Sequence, residues 1–244
     1  MEKIRLQKFF TDAKIMSRRN AEKVIASGDV KVNGVIAHVG DKVDPLNDIV
    51  EYNGKVIKYN LSPKKYIMLN KPLGYVTTAS DEKGRETVLS LVKDVGERVY
   101  PVGRLDMYSE GLLILTNDGE LTNRLTHPKN NMPKSYSVII KGEISPDALH
   151  KLNSPMEIDG YKLKPVKVRV ISTKNGNTNT VFTLNEGRNR QIRKMCEQCA
   201  LTIMRLTRIS IGKLKLGELE RGKWRYLSQG EINYLLGKSD SIEV

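Results

Sequence analysis

Asp106 is the residue best placed to perform chemistry, because it lies in a polar loop between two apolar runs. The runs, Val99–Val102 and Leu112–Leu115, have the composition of β-strands, and glycines flank the loop. A carboxylate at the end of a buried strand is held rigidly while it faces a cleft, a common way to build a catalytic acid. The alternative is a structural one, in which Asp106 caps the turn and pairs with Arg104.

A second polar segment, Asn185–Met195, carries three arginines within six positions: Arg188, Arg190 and Arg193. Its second half is predicted to be helical, and residues at i and i+3 share a helix face, so Arg190 and Arg193 are expected to point the same way. Such a run is either a solvated basic surface or a contact for nucleic acid.

The remaining candidates for chemistry argue against a metal or cofactor site. Cys196 and Cys199 form a C-x-x-C pair, but neither a second ligand pair nor a thioredoxin-like pattern accompanies them. The three histidines are not spaced as ligands, and no G-x-G-x-x-G or P-loop motif is present. We therefore expect no metal and no cofactor.

The charge of the chain indicates a polyanionic partner. The net charge is +13 over 244 residues, and it is concentrated at two places. Asn185–Arg225 holds eleven Lys and Arg against four Asp and Glu, and Met1–Gly28 holds seven against three. Generic basic solubility is the alternative. No apolar run reaches membrane-spanning length and no signal region opens the chain, so we expect a cytoplasmic protein without membrane contact.

The elements that must position these residues divide into two predicted domains. Residues 1–58 contain two helical patterns followed by short strands with Asn-Gly turns, residues 59–65 form a polar linker, and residues 66–244 form the larger domain. In the larger domain, strand patterns at Tyr66–Lys71, Lys134–Ile140 and Thr180–Leu184 alternate with short helices. The predicted fold class is α+β, with a mixed, mostly antiparallel sheet.

The order Gly103-Arg104-Leu105-Asp106, followed by Ser109–Gly119, resembles the active-site motif of the ribosomal RNA pseudouridine synthases of the RsuA and RluB/RluE/RluF group. The resemblance implies that Asp106 is catalytic. It further implies that Tyr136 packs on the target base, that Arg193 pairs with Asp106, and that Arg104 touches phosphate or fills the space left by the base.

Three N-terminal segments resemble the S4 RNA-binding fold: Arg5–Lys8, Ser17–Glu22 and Gly28–Gly34. This resemblance implies a small αα-β domain that contacts RNA with a basic face, whereas the alternative is an ordinary amphipathic helix pair. Together with the arginines of the larger domain, the expected RNA-binding residues are Arg5, Lys8, Arg18, Arg19, Lys23, Lys31, Arg104, Arg188 and Arg190.

The resulting expectation is a monomeric enzyme that isomerises uridine to pseudouridine in ribosomal RNA, large-subunit RNA being favoured over small-subunit RNA. Asp106 serves the cleavage and re-formation of the glycosidic bond, with Tyr136 and Arg193 beside it. The partner is ribosomal RNA or an assembly intermediate of the ribosomal subunit. The alternatives are a non-catalytic S4-type RNA-binding or ribosome-assembly factor and, less favoured without a glycine-rich loop, an RNA methyltransferase.

Overall fold

The computed structural model describes residues 2–59, 62–130 and 132–242. The chain forms two compact units, Met1–Pro63 and Lys64–Val244. The division falls within the stretch 59–65 that the sequence predicts as a linker, of which residues 60 and 61 lie outside the described residues.

The N-terminal unit combines two short helices with small antiparallel sheets. Its elements are β1 (Ile4–Arg5), α1 (Leu6–Asp12), α2 (Arg18–Ala26), β2 (Val30–Val32), β3 (Val35–Ile36), β4 (Lys42–Val43), β5 (Val50–Tyr52) and β6 (Lys55–Val56). The larger of its sheets has the order β3-β2-β5-β6, and β1 pairs with β4. Phe9 and Phe10 of α1 and Ile25 of α2 are buried in a common core with Val30 and Val50.

Local signals in the sequence account for how these elements begin and end. The Ser17 hydroxyl accepts a hydrogen bond from the Asn20 amide at 3.3 Å and caps α2, as predicted. Asn33 and Gly34 have φ values of 51° and 81°, the conformation that a two-residue hairpin turn requires, and they join β2 to β3.

The C-terminal unit is built on one large sheet. Its elements are β7 (Tyr66–Lys71), β8 (Tyr100–Val102), β9 (Glu110–Thr116), α3 (Gly119–Thr126), β10 (Lys134–Lys141), α4 (Pro146–Asn153), β11 (Glu157–Ile158), β12 (Tyr161–Lys162), β13 (Lys167–Lys174), β14 (Asn177–Leu184), α5 (Gln191–Gln198), β15 (Ile203–Ile211), β16 (Leu214–Lys215), β17 (Trp224–Tyr226) and α6 (Gln229–Leu235), with 3₁₀ turns at Val88–Val95 and Pro128–Asn130.

The strand order of this sheet is β13-β14-β10-β15-β9-β7-β17, with β8 added to β9 and β16 to β15. Among the pairings of the described strands, β15 with β9 is parallel and the others are antiparallel. The mixed, mostly antiparallel sheet predicted from the sequence is therefore confirmed.

Strand β9 forms the rigid centre of the unit, since all seven of its residues are buried. Leu112 and Ile114 pack on one side of the sheet in a cluster that includes α3 and α6. Leu113 and Leu115 pack on the other side against the 3₁₀ segment Val88–Val95. Because both faces are covered, the loop that enters β9 rests on a platform with little freedom to move.

Candidate active site

Asp106 lies in the loop that joins β8 to β9, and backbone contacts hold this loop in place. The Thr77 hydroxyl donates to the Leu105 carbonyl at 2.7 Å and accepts from the Leu105 amide at 3.3 Å. The Gly74 amide donates to the Met107 carbonyl at 3.0 Å. The residues on either side of Asp106 are thus fixed, while its own side chain is half-buried at the surface of the loop.

Lys71, the last residue of β7, anchors the same loop from below. It is completely buried, and its ammonium donates to the carbonyl oxygens of Pro72, Asp106 and Ser109 at 3.0, 3.1 and 2.9 Å. Burial lowers the pKa of Lys71 to about 8, although the nearby Asp106 and Glu110 carboxylates oppose that shift. A buried cation with three backbone acceptors is a positioning device for the loop.

A close approach between β9 and β15 joins the Asp106 loop to the other half of the sheet. Gly111 has φ +103°, and a Cβ there would overlap the Arg208 carbonyl oxygen and lie 2.8 Å from the Arg208 nitrogen. The buried Arg208 guanidinium donates from Nε to the Leu112 carbonyl at 2.7 Å. Since Arg208 also lies opposite Tyr136 of β10, this contact sets Tyr136 relative to Asp106.

An open cleft of about 60 Å³ lies in front of Asp106. Four residues predicted from separate parts of the sequence line it: Arg104, Asp106, Tyr136 and Arg190. Apolar side chains, two further polar residues and one glycine complete the wall: Leu105, Leu184, Ile192, Leu206, Ser109, Gln191 and Gly187. The cleft combines one carboxylate, one aromatic ring and two guanidinium groups, a combination suited to an anionic substrate with a planar ring.

Tyr136 stands at the boundary between two apolar clusters of the C-terminal unit. Its half-buried ring packs against the core under β10, β14 and α5 and against the core that contains the 3₁₀ segment. In the part of the chain that the structure describes, no hydrogen bond to its hydroxyl is found. The ring is therefore held by packing and offers a surface to the cleft.

Arg193 of α5 reaches the Asp106 loop, but it does not form the direct ion pair that the resemblance implies. Its Nη2 donates to the Tyr108 carbonyl and, at 3.4 Å, to the Ser109 hydroxyl. Within the described residues no hydrogen bond or ion pair joins it to the Asp106 carboxylate. Burial lowers the pKa of Arg193, the Arg190 charge lowers it further, and attraction by Asp106 opposes both. Arg193 thus acts on Asp106 through space and through the loop.

The prediction that Arg190 and Arg193 lie on one face of a helix is wrong. Helix α5 begins at Gln191, and Arg190 is its N-cap residue with a left-handed φ of +52°. The turn, and not helix periodicity, therefore directs Arg190 into the cleft. Arg188 lies elsewhere: it lines a neighbouring cavity, and its guanidinium stacks on the ring of Tyr161.

The basic residues predicted to bind RNA in the N-terminal unit differ in whether their side chains already have partners within the protein. Four exposed cations have no hydrogen bond or ion pair from their side chains in the described part of the unit: Arg18, Arg19, Lys23 and Lys31. By contrast, Lys8 pairs with Asp12 and Arg5 donates to the Gly40 carbonyl. The partner-free cations of α2 and β2 are thus the ones most available to a polyanion.

The cysteine pair carries no sign of reactivity. Cys196 is buried and Cys199 half-buried, and both are free thiols. Burial raises the pKa of Cys196 to about 12, the opposite of what a nucleophilic thiol needs. Among the described residues, no group of three or more His, Cys, Asp or Glu side chains could hold a metal ion. No helix there is long and apolar enough to cross a membrane.

Three residues that support the site were not predicted individually from the sequence: Lys71, Thr77 and Ser109. For Lys71 a signal existed, because a lysine and Asn70 close a strand that begins with an apolar run, immediately before Pro72. Thr77 and Ser109 have no comparable signal, since their partners are 28 and 84 residues away in sequence.

Comparisons with known proteins place the chain among RNA-modifying enzymes. A family model described as RNA pseudouridylate synthase matches residues 65–198. A protein of Aquifex aeolicus described as an RNA pseudouridine synthase is 44% identical over 96% of this chain and 94% of its own length. The ribosomal large subunit pseudouridine synthase B of Bacillus subtilis is 38% identical over 97% of both chains. A crystal structure of a pseudouridylate synthase matches with a TM-score of 0.67 and 28% identity, over 95% of this chain and 99% of that one.

Proposed function

The chain belongs to the RNA pseudouridylate synthase family, and from that premise we propose that it isomerises uridine to pseudouridine in ribosomal RNA with Asp106 as the catalytic carboxylate. The observation that carries this proposal is the cleft itself, in which Asp106 shares one surface with Tyr136, Arg104 and Arg190. The family match covers Asp106, Tyr136 and Arg193, which favours an enzyme over a non-catalytic RNA-binding factor.

The reaction exchanges one glycosidic bond for another. The N1–C1′ bond of the uridine breaks, the freed base turns, C5 bonds to C1′, and the proton lost from C5 is balanced by one gained at N1. Because substrate and product are isomers, no oxidant, reductant or group donor takes part. Breaking the bond to C1′ develops positive charge on the sugar, and a carboxylate held beside that carbon stabilises it.

Asp106 meets the requirements of this step. Its carboxylate forms no hydrogen bond or ion pair with any described residue, so it is available to the substrate, while its loop is fixed by Lys71 and Thr77. Two roles fit an ionised Asp106: attack on C1′, or removal of a proton from the neighbouring ribose carbon. In either role the Arg193 guanidinium attracts the carboxylate of Asp106 through space.

Tyr136 and the arginines of the cleft serve to hold the nucleotide. A uridine within a stack must be extruded to meet Asp106, at a cost of a few kcal/mol. Stacking of the base on Tyr136 offsets part of that cost, since a base–aromatic contact contributes about 1–3 kcal/mol. Arg104 and Arg190 line the same cleft as the carboxylate and are suited to the phosphates of the extruded strand.

The N-terminal unit is proposed to be an S4-type module that binds RNA through α2. The partner-free cations Arg18, Arg19 and Lys23 on that helix, together with Lys31, support this role. The Bacillus subtilis relative is a synthase of the large ribosomal subunit by name, which favours large-subunit RNA, free or in an assembly intermediate, as the substrate. We propose that the protein acts in the cytoplasm, the compartment of its proposed ribosomal RNA substrate. We propose a monomer, because the surplus charge of +13 disfavours self-association.

The proposal is tested by incubating the purified protein with unmodified large- and small-subunit ribosomal RNA transcripts and no cofactor. Carbodiimide labelling followed by primer extension then maps pseudouridine. We expect defined stops in large-subunit RNA. A binding factor would retain RNA without modifying it, and a methyltransferase would need an added methyl donor, so RNA bound without pseudouridine would overturn the proposal.

A further inference from the structure

A second cavity, of about 220 Å³, adjoins the cleft that holds Asp106. Gly187 lines both, so the two spaces share one stretch of wall at the start of the segment that leads into α5. The lining residues that matter for its chemistry are Lys134, Lys164, Arg188, Glu186, His127 and Tyr161. The reaction at Asp106 leaves this cavity without a role.

Lys134 is the unusual group of the cavity. It is the first residue of β10, and since strand residues two apart share a face, it lies on the same face as Tyr136. Its side chain is half-buried, and in the described part of the chain its ammonium has no hydrogen bond or ion pair. Burial lowers the pKa of Lys134, and the charge of Arg208 lowers it further. A half-buried ammonium without a hydrogen bond or ion pair in the described part of the chain gains most when an anion occupies the cavity that it faces.

The remaining charges of the wall do not cancel that of Lys134. Arg188 is exposed, stacks on Tyr161, and lies 3.8 Å from a Glu186 carboxylate oxygen. Glu186 is the single carboxylate among the described lining residues, and its other oxygen accepts from the Lys164 amide at 2.8 Å. The Nδ1 atom of His127 accepts a hydrogen bond from the Lys129 amide. The excess of positive charge does not depend on His127. The cavity therefore keeps an excess of positive charge.

Gly187, between the two spaces, is not explained by the protein alone. Its φ lies outside the left-handed region, and a Cβ added there would meet no heavy atom within 4 Å. Neither backbone conformation nor packing requires glycine at this position. A glycine in such a place permits close approach of a ligand to the backbone, and here that ligand would pass from one cavity to the other.

We propose that this second cavity is a phosphate subsite for the RNA strand, in which Lys134 and Arg188 hold the phosphodiester of a nucleotide adjacent to the target uridine. The inference rests on the proposed function, because it needs an RNA strand in the neighbouring cleft. A phosphodiester supplies the anion that Lys134 lacks, and the strand reaches it past Gly187. The subsite would fix the register of the strand, so that one nucleotide faces Asp106.

The test compares Lys134→Met with Lys141→Met. Both change a lysine at an end of β10 and remove one charge, but Lys141 is exposed at the far end of the strand and lines neither cavity. Steady-state turnover of unmodified large-subunit ribosomal RNA gives KM and kcat. Ethylation interference on the same RNA identifies each phosphate whose modification prevents binding. Thermal melting monitors the fold.

We expect Lys134→Met to raise KM at least about tenfold, the loss of one charge-assisted contact, with little effect on kcat. Wild type and Lys141→Met should both be blocked by ethylation at a phosphate within one or two nucleotides of the target uridine, whereas Lys134→Met should lose that interference. Because the Lys134 ammonium has no hydrogen bond or ion pair with the residues described, the variant should melt no lower than wild type.

Two results would overturn the subsite. One is an interference pattern and KM for Lys134→Met equal to those of Lys141→Met. The other is a lower melting temperature with a reduced kcat and an unchanged KM, which would show a structural lysine. In both cases the wild-type protein still makes pseudouridine, so the proposed function stands. If the wild type makes none, the function and the subsite fall together.

Discussion

Lys71 and Asp106 are joined through the backbone and not through their charged ends: the Lys71 ammonium lies 3.1 Å from the Asp106 carbonyl oxygen. The same ammonium holds the carbonyls of Pro72 and Ser109, so the catalytic loop is fixed at both of its sides. The Asp106 carboxylate is left without a partner among the described residues. This arrangement separates the positioning of the loop from the chemistry of the side chain.

Replacement of Lys71 by methionine should therefore slow catalysis without preventing RNA binding. The variant leaves three loop carbonyls without their donor, and a shift of the loop by about 1 Å can cost about 100-fold in rate. Single-turnover assays should show that loss in the chemical step, with the RNA dissociation constant changed only a few-fold. Lys174→Met, an exposed lysine at the end of β13, is the matched control and should behave as wild type.

The same lysine predicts a pH dependence. Its pKa of about 8 lies below the ordinary value of 10.5, so the ammonium with three N–H groups is present below pH 8, and above it the neutral amine has only two for three carbonyls. The single-turnover rate of the wild type should fall as pH rises through about 8. This decrease in rate should be absent from the residual activity of Lys71→Met. If the variant still shows the decrease, a group other than Lys71 causes it.

Arg193 should matter more than the hydroxyl that it contacts. Arg193→Met removes the donor to the Tyr108 carbonyl and the cation that attracts the Asp106 carboxylate, and we expect kcat to fall by about 100-fold. Ser109→Ala removes only the longer bond, at 3.4 Å, and should cost at most about threefold. Equal losses in the two variants would mean that docking of the loop, and not the charge of Arg193, is what the site needs.

Gly111→Ala should strongly destabilise the C-terminal unit. The new Cβ would meet the Arg208 backbone, and φ +103° is unfavourable for alanine, so we expect a loss of about 3 kcal/mol or more in the free energy of unfolding. Gly176 has a φ of +67°, and a Cβ added there would meet open space. Gly176→Ala should therefore lower the free energy of unfolding by only about 1–2 kcal/mol. Urea denaturation measures both, and equal losses would argue against the close approach of β9 and β15.

The role of helix α2 is tested by the double change Arg18→Glu and Arg19→Glu. If these partner-free cations contact phosphates, RNA affinity should fall and the dependence of affinity on salt concentration should become shallower, by about 0.7–0.9 in slope per lost contact. Lys42→Glu with Lys55→Glu changes the net charge of the same unit equally but lies outside α2. A salt slope that is unchanged, or changed equally by both pairs, would remove α2 from the RNA contact.

Much of the architecture follows from signals that are local in sequence. The Ser17 cap, the Asn33-Gly34 turn and the strand before Pro72 depend on residues within a few positions of one another, and each was predictable. The loop of Asp106 was likewise predictable, because apolar runs mark the strands on both sides of it.

What the sequence did not predict depends on contacts between distant segments. The left-handed Arg190 follows from how the turn meets the sheet, and periodicity alone placed it wrongly on a helix face. The burial of Lys71 is compensated by carbonyls up to 38 residues away. The expected pairing of Arg193 with Asp106 became a contact with the Tyr108 carbonyl, because α5 reaches the loop beside the carboxylate and not at it.

The most direct test of the account is pseudouridine formation by purified Asp106→Asn on unmodified large-subunit ribosomal RNA. The change keeps the size of the side chain and removes its charge, and because the carboxylate has no hydrogen bond or ion pair with any residue that the structure describes, the fold should be unaffected. We predict no detectable pseudouridine, with RNA binding within a few-fold of wild type. Product formed at the wild-type rate would contradict the assignment of Asp106 as the catalytic carboxylate.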